Sequence, residues 1–240
     1  MDVLSIVDDP NYFIFDETLR EVVLAFSRDR YVRDNSAYEI YRVVTEDLTM
    51  PSAVQPFLGL TCYFAPLGYV IRRGPAFYSL SREIYCRLWC KMTVLSSDAG
   101  TLLHVCKTFE SLLLEAHPRL FLHLVNIGIQ PLQIAFQWIQ LGFVGFLEVD
   151  QLLLLWDRVL GYDDTSLLAV FAAAVFVFRA ESLLSCNSPE FAERLLAEFS
   201  RIKVLPLIQI FFMSNNPNPS SNSNSYSAIG KEVLNGGGNA

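Results

Sequence analysis

Residues 128–158 read GIQPLQIAFQWIQLGFVGFLEVDQLLLLWDR, and the spacing within them decides the fold. Leu132, Ala135, Phe136, Ile139 and Phe143 recur at helical intervals, while Gln133, Gln137 and Gln140 take the opposite side, so one face of this helix seeks a core. The segment from Glu148 to Val159 predicts a second helix, apolar almost all round through Leu152-Leu153-Leu154-Leu155-Trp156 and interrupted only by Asp157-Arg158. Such a helix is expected to lie buried between others. Gly161 reads as a break. Asp163 and Asp164 then offer side-chain oxygens to the free N–H groups of a third helix, from Ser166 to Leu184.

A helix carrying Trp138, a loop, then Leu155-Trp156-Asp157 and a long apolar helix resembles the C-terminal half of the TBC domain, the all-helical module of Rab GTPase-activating proteins. The resemblance is strong over residues 121–184 and extends from the first residues to Phe212. It implies an all-α, multi-helix TBC-like fold, mostly the C-terminal two-thirds of the domain, in a divergent member of the family. The implied partner is a Rab-type small GTPase in its GTP-bound form, within membrane traffic, and no cofactor is implied. Family domains carry helices ahead of the first catalytic motif, where this chain begins. Met1 is therefore expected to open a fragment or a shortened gene model.

Composition narrows the alternatives. With 240 residues, 52% of them apolar, the chain can bury a large core in one domain or at most two. A formal charge of −7 argues against nonspecific nucleic-acid binding, which needs a positive field to displace counterions from phosphate. The five cysteines, Cys62, Cys86, Cys90, Cys106 and Cys186, form no regular framework, and reduced cytosolic thiols are the simpler reading. Cys86 and Cys90 sit one helical turn apart, yet no second Cys or His pair completes a metal site, so they read as small buried hydrophobes. The longest apolar run, Leu167 to Phe178, falls short of the roughly 18 to 20 residues a bilayer needs and reads as a core helix. The N-terminus lacks the basic start and apolar stretch of a secretory signal, which points to the cytoplasm, at endomembranes through the GTPase partner.

The remainder also reads as helical. Leu19, Val22, Val23 and Phe26 mark one helix face with Asp16 as N-cap, and a second helix is expected from Ser36 to Asp47. Pro66 should kink or break the apolar run from Gly59 to Ile71. A long helix is expected from Ala76 to Val94, another to Ala116, and Ser188-Pro189 should open a helix lined by Phe191, Leu195, Phe199 and Ile202. Pro206 should begin a last short apolar piece. Residues 1–213 thus form the helical domain. From Ser214 the composition turns to Asn, Ser, Pro and Gly, so residues 214–240 are expected to be a disordered tail.

Family members that stimulate GTP hydrolysis use an arginine from an Ile-x-x-Asp-x-x-Arg motif and a glutamine from a Tyr-x-Gln-Gly motif. The guanidinium stabilises charge on the transferring phosphoryl, and the carboxamide orients the attacking water. Here Asp2-Val3-Leu4-Ser5 and Pro56-Phe57-Leu58-Gly59 fall at those places, so the finger positions hold Ser5 and Leu58. Neither side chain can do the work: serine carries no delocalised charge, and leucine can neither donate to nor accept from water. An arginine finger contributes on the order of 10³ to 10⁵ in rate, about 4 to 7 kcal/mol. The substitute to weigh is Arg20, in Asp16-Glu17-Thr18-Leu19-Arg20, which imitates the motif with one residue too many; the bland reading is a solvated surface arginine, as for Arg28, Arg30 and Arg33.

Other constellations are weaker. His104, His117 and His123 accompany no nucleophile elbow, and no Gly-rich turn precedes a Lys-Ser or Lys-Thr pair. Trp138 and Trp156 read as core rather than as ligand-stacking residues. Asp157, in so apolar a helix, is expected to be buried and paired, by Arg158 or by the free N–H groups of a neighbouring helix start. The rival readings are an activator using a non-standard arginine and a helical scaffold that binds no GTPase.

Overall fold

The computed structural model describes residues 6, 8–36, 50–54 and 59–215. The finger positions Ser5 and Leu58, most of the helix expected from Ser36 to Asp47, and the tail from residue 216 lie outside the described residues. Every regular element among the described residues is helical. After a 3₁₀ turn at Phe13–Phe15 come α1 (Asp16–Arg28), α2 (Arg30–Asn35), two 3₁₀ turns at Leu60–Tyr63 and Ala65–Tyr69, and α3 (Gly74–Arg87). A 3₁₀ turn at Trp89–Thr93 leads to α4 (Leu102–Ala116), α5 (Pro118–Asn126), α6 (Pro131–Gln140), α7 (Val149–Tyr162), α8 (Ser166–Phe178), α9 (Ala180–Leu184), α10 (Pro189–Ala197) and α11 (Val204–Asn215).

The centre is α8. Its run from Ser166 to Phe176 is buried throughout, as expected of a core helix, and it packs mainly on α4 and α11 with α6 and α7 alongside. No helix among the described residues is long and apolar enough to cross a membrane. α8 stops at Phe178 and the chain resumes as α9 after Arg179, so the single helix expected to Leu184 is two.

The structure corrects the reading of α7. Leu152, Leu155, Trp156 and Val159 face inward, but Leu154 is 37% exposed and Asp157 lies in solvent. The helix is one-sided, so the Asp157 carboxylate keeps its hydration and needs no buried partner. Nor does Gly161 break it; α7 runs on to Tyr162 and stops at Asp163, which adopts a left-handed conformation (φ +55°). Asp164 supplies the expected oxygen, accepting from the Ser166 amide at 2.8 Å, whereas Asp163 turns to Arg87 Nε at 2.8 Å.

Elsewhere the departures are local. Leu19, Val22 and Phe26 are buried on α1 as expected, but Asp16 is its first helical residue rather than its cap. Pro66 does break the run after Gly59, into two 3₁₀ turns. α3 ends at Arg87 rather than Val94, because Trp89 turns into the core, stacked on Tyr63 at 5.0 Å. On α10 the Ser188 hydroxyl accepts from the Phe191 amide at 3.4 Å, yet the inward residues are Ala192 and Leu196, and Phe191 is 49% exposed. The stripe misaligned because the helix ends at Ala197, leaving Phe199 and Ile202 to reach the core from a non-helical segment. α11 begins two residues before Pro206, its Val204 amide donating to the buried Gln151 Oε1 at 3.0 Å.

The loop between α6 and α7 is the tightest piece of backbone. Gly142, Phe143 and Gly145 all have positive φ. Phe143 is held there by its amide, which donates to the Trp138 carbonyl at 2.7 Å, and by its buried ring, 4.8 Å from Phe171 and 6.3 Å from Phe199.

Candidate functional site

The two segments that follow Ser5 and Leu58, the positions read from sequence as the fingers, meet on one surface. On the first, the Asp9 amide donates to the Ile6 carbonyl at 3.1 Å and the Tyr12 amide to the Asp9 carbonyl at 2.9 Å, winding the chain into the Phe13–Phe15 turn. On the second, Gly59 adopts φ +104°, and its carbonyl accepts from the Cys62 amide at 3.1 Å to begin the Leu60–Tyr63 turn. Its positive φ favours glycine after Leu58, and an added Cβ would lie 2.7 Å from Leu141 Cδ2, forcing that side chain to shift. Tyr69 ties the segments together: its hydroxyl donates to the Asn11 carbonyl, and its ring meets Phe15 edge-on at 5.0 Å and Tyr12 at 6.1 Å. Burial pushes the Tyr12 phenol well above its ordinary range, helped by nearby Asp9.

Between these segments opens a cavity of about 320 Å³, lined by Ile14, Phe15, Thr18, Gly68, Ile71, Arg72 and Phe77. Ile14 in its lining is 56% accessible, and Phe13 and Val70, next in the chain to the lining residues Ile14 and Ile71, are each 60% accessible. Large apolar groups held in water beside a cavity mark an interaction surface rather than a core. Arg72 is the one cation in the lining.

Arg20 is exposed on α1, its Nε donating to Asp16 Oδ1 at 2.6 Å one turn back. It stands two residues from Thr18, and at 3.6 residues per turn that puts it on the far side of α1 from the cavity. Arg28, Arg30 and Arg33 are likewise exposed.

Behind this face α1 and α2 are pinned to α3 by a polar cluster that sequence patterning did not reveal. Asp29 Oδ1 accepts from the Tyr31 amide at 2.8 Å, capping α2, while Oδ2 accepts from the Tyr78 hydroxyl and from Arg82 Nη1 at 3.3 Å. The Arg82 guanidinium lies 4.0 Å from the Tyr31 ring centre and donates to Glu83 at 2.8 Å, which also accepts from the Tyr31 hydroxyl at 3.2 Å. Burial pushes the Asp29 carboxyl up, but the bonds from Tyr78, Tyr31 and Arg82 outweigh it and hold it below the usual carboxylate range.

The family motif around Trp138 and Trp156 is packing. Trp156 Nε1 donates to the Gly142 carbonyl at 2.8 Å and its ring lies 4.8 Å from Trp89; a Cβ on Gly142 (φ +56°) would come within 3.3 Å of both indoles. Trp138 is buried, 5.0 Å from Phe199 and 5.6 Å from Phe176. His117 caps α5, its Nδ1 accepting from the Leu120 amide at 3.1 Å, and His123 Nε2 lies 3.0 Å from the Cys186 carbonyl. All five cysteines are buried, which pushes the Cys86 thiol up to about 12 and that of Cys106 up to about 11. Among the described residues no three His, Cys, Asp or Glu side chains gather as a metal site.

A second cavity, of about 390 Å³, lies between α6 and α10. Gln133 and Gln137, read from sequence as the side of α6 opposite the core, form its wall with Gln130 and Glu193, over Ile134 and Trp138. Only the unpredicted approach of α10 could have shown that this polar side of α6 faces another helix.

Comparison with known proteins gives a consistent picture. The model of the Rab-GTPase-TBC domain matches residues 51–184, more than half of the chain. TBC1 domain family member 19 of Homo sapiens is 40% identical over 227 residues, which cover 88% of this chain and 42% of that protein. TBC1 domain family member 2B of Mus musculus is 30% identical over 115 residues, 47% of this chain and 12% of that protein, and its Xenopus tropicalis counterpart is 29% identical over a stretch of the same length. The chain thus spans less than half the length of these relatives. No solved structure matches it.

Proposed function

Since the chain belongs to the Rab-GTPase-TBC domain family, we propose that it binds a Rab-type small GTPase in its GTP-bound form, and does so without finger-driven stimulation of hydrolysis. The observation that carries the binding half is the group of exposed apolar side chains Phe13, Ile14 and Val70, in and next to the segments lining the cavity that also holds Arg72 and lies between the stretches that follow both positions read as fingers. Apolar side chains give such a face its affinity, and Arg72 offers an acidic group on the partner a charge-assisted hydrogen bond. The catalytic half rests on Ser5 and Leu58, which supply neither the charge nor the carboxamide that phosphoryl transfer requires. In this reading the protein acts in membrane traffic as a reader of the GTP state, in the cytoplasm and at endomembranes where its partner resides.

The test pairs two assays on a panel of Rab proteins. Binding is expected for at least one GTP-loaded member over its GDP-loaded form, weakened at least tenfold by Ile14→Asp or Arg72→Glu, with hydrolysis at the intrinsic rate. Ser5→Arg with Leu58→Gln is expected to raise hydrolysis where neither alone does. Nucleotide-independent binding, or none across the panel, overturns the first half. Robust stimulation by the unaltered chain overturns the second, and its loss in Arg20→Ala would assign the role to that arginine.

A further inference from the structure

Independently of the GTPase reading, we infer that the cleft between α6 and α10 is the docking site for the chain's own segment Tyr226–Leu234. The cleft presents chemistry suited to a peptide. Gln130, Gln133 and Gln137 recur at i, i+3 and i+7 along one wall, and among the described residues their carboxamides make no hydrogen bond. Each can donate and accept at once, which is what a peptide backbone asks of a groove. Ile134 and Trp138 supply an apolar floor, and Glu193 stands across from the glutamines as the one charge in the lining.

The occupant is picked out by composition. In residues 214–240, the large apolar side chains are Tyr226, Ile229, Val233 and Leu234, all within nine residues otherwise flanked by Ser, Asn, Pro and Gly. Tyr226, Ile229 and Val233 share the i, i+3, i+7 spacing of a single helix face, the pattern by which a short segment folds onto a groove. Lys231 is the one cation of the tail, beside its one acid Glu232, and its long stem lets it meet Glu193 at the rim.

The connection is long enough. α11 ends at Asn215, and its 12 residues span about 18 Å from Val204. The Val204 end is close to the cleft, because Phe199, just before it, touches both Trp138 at 5.0 Å and the cleft residue Phe146 at 5.9 Å. The stretch from residue 216 to residue 225 extends to roughly 33 Å, enough to return along α11 and reach the cleft.

Hydrogen exchange on the full chain tests the assignment. Amides 226–234 are expected to exchange at least tenfold more slowly than in a free peptide of the same sequence. Ile229→Ser with Val233→Ser should abolish that protection and speed exchange along α6. A synthetic peptide of residues 225–235 added to that variant should restore α6 protection, and require at least tenfold more peptide when Glu193→Lys is also present. Both altered sites are on the surface or in the tail, so folding is preserved, and unchanged exchange in α8 checks it. Exchange of 226–234 at the free-peptide rate overturns the proposal. So does protection that survives Gln133→Lys with Glu193→Lys, which would place the segment elsewhere, or protection that rises with protein concentration, which would place it on a second copy.

Discussion

Trp89 and Trp156 are neighbours with rings 4.8 Å apart, both buried, and they differ in one respect. Trp156 Nε1 donates to the Gly142 carbonyl, whereas Trp89 Nε1 has no acceptor among the described residues. Replacing either by Phe removes the same indole atoms from the same cluster, so the packing losses largely cancel when the two variants are compared. What remains is hydrogen bonding. Phe at 156 leaves the Gly142 carbonyl buried without its donor, costing about 1 to 3 kcal/mol, while Phe at 89 removes a donor that is already unsatisfied and recovers a similar amount. Trp156→Phe is therefore expected to be the less stable by about 2 to 6 kcal/mol. At roughly 2 to 4 °C per kcal/mol for a chain of this size, the two midpoints should lie about 4 to 24 °C apart. Trp156→Ala, which also opens a cavity, should cost about 3 to 5 kcal/mol, a large share of an ordinary folding free energy. Urea and thermal unfolding followed by circular dichroism measure all three. Equal midpoints for the two Phe variants, or the reverse order, would refute the account of this cluster; an unchanged midpoint for Trp156→Ala would mean that α7 is not core.

Two further outcomes follow from the geometry. Asp29 has its carboxyl held below the ordinary range, so its contribution should be complete above the unfolded value of about 3.9 and disappear as pH falls through the folded one; Asp29→Asn should flatten that acid limb in urea midpoints measured from pH 6 downward, and an unchanged limb would reject the role given to the cluster. Gly59→Ala should destabilise by about 1 to 3 kcal/mol through its left-handed backbone and its 2.7 Å approach to Leu141, and adding Leu141→Ala should relieve only the steric part, so complete rescue would mean the backbone carries no strain there.

The large features were legible because they are periodic or punctuated. The unbroken apolar run from Leu167 to Phe176 could only be a central helix, and Pro66 marked a break that the chain takes. The misreadings arose where periodicity could not say how many neighbours a helix has. α7 looked apolar all round, yet only one side is covered, so Leu154 and Asp157 lie at the surface. Gln133 and Gln137 are exposed, as their place opposite the core face implied, but periodicity could not show that α10 stands across a cleft from them. At the candidate site, Gly59 was legible through the motif it matches, but the exposed Phe13, Ile14 and Val70 were not, since they lie in or just past short 3₁₀ turns whose exposure depends on how Tyr69 joins the segments.

The left-handed Phe143 carries a consequence for the order of folding events. Its backbone conformation costs on the order of 1 kcal/mol by itself; the local bond to the Trp138 carbonyl offsets part of this, and the ring adds contacts with Phe171 on α8 and Phe199 beyond α10. Both ring partners are distant along the chain, so although local backbone bonds close the loop between α6 and α7, its ring packing should set late, after the central helix has docked. Contacts made after the rate-limiting barrier affect escape from the native state rather than entry into it. Truncating Phe143 should therefore hasten unfolding while leaving the refolding rate nearly unchanged, making this loop a determinant of how long each folded molecule lasts.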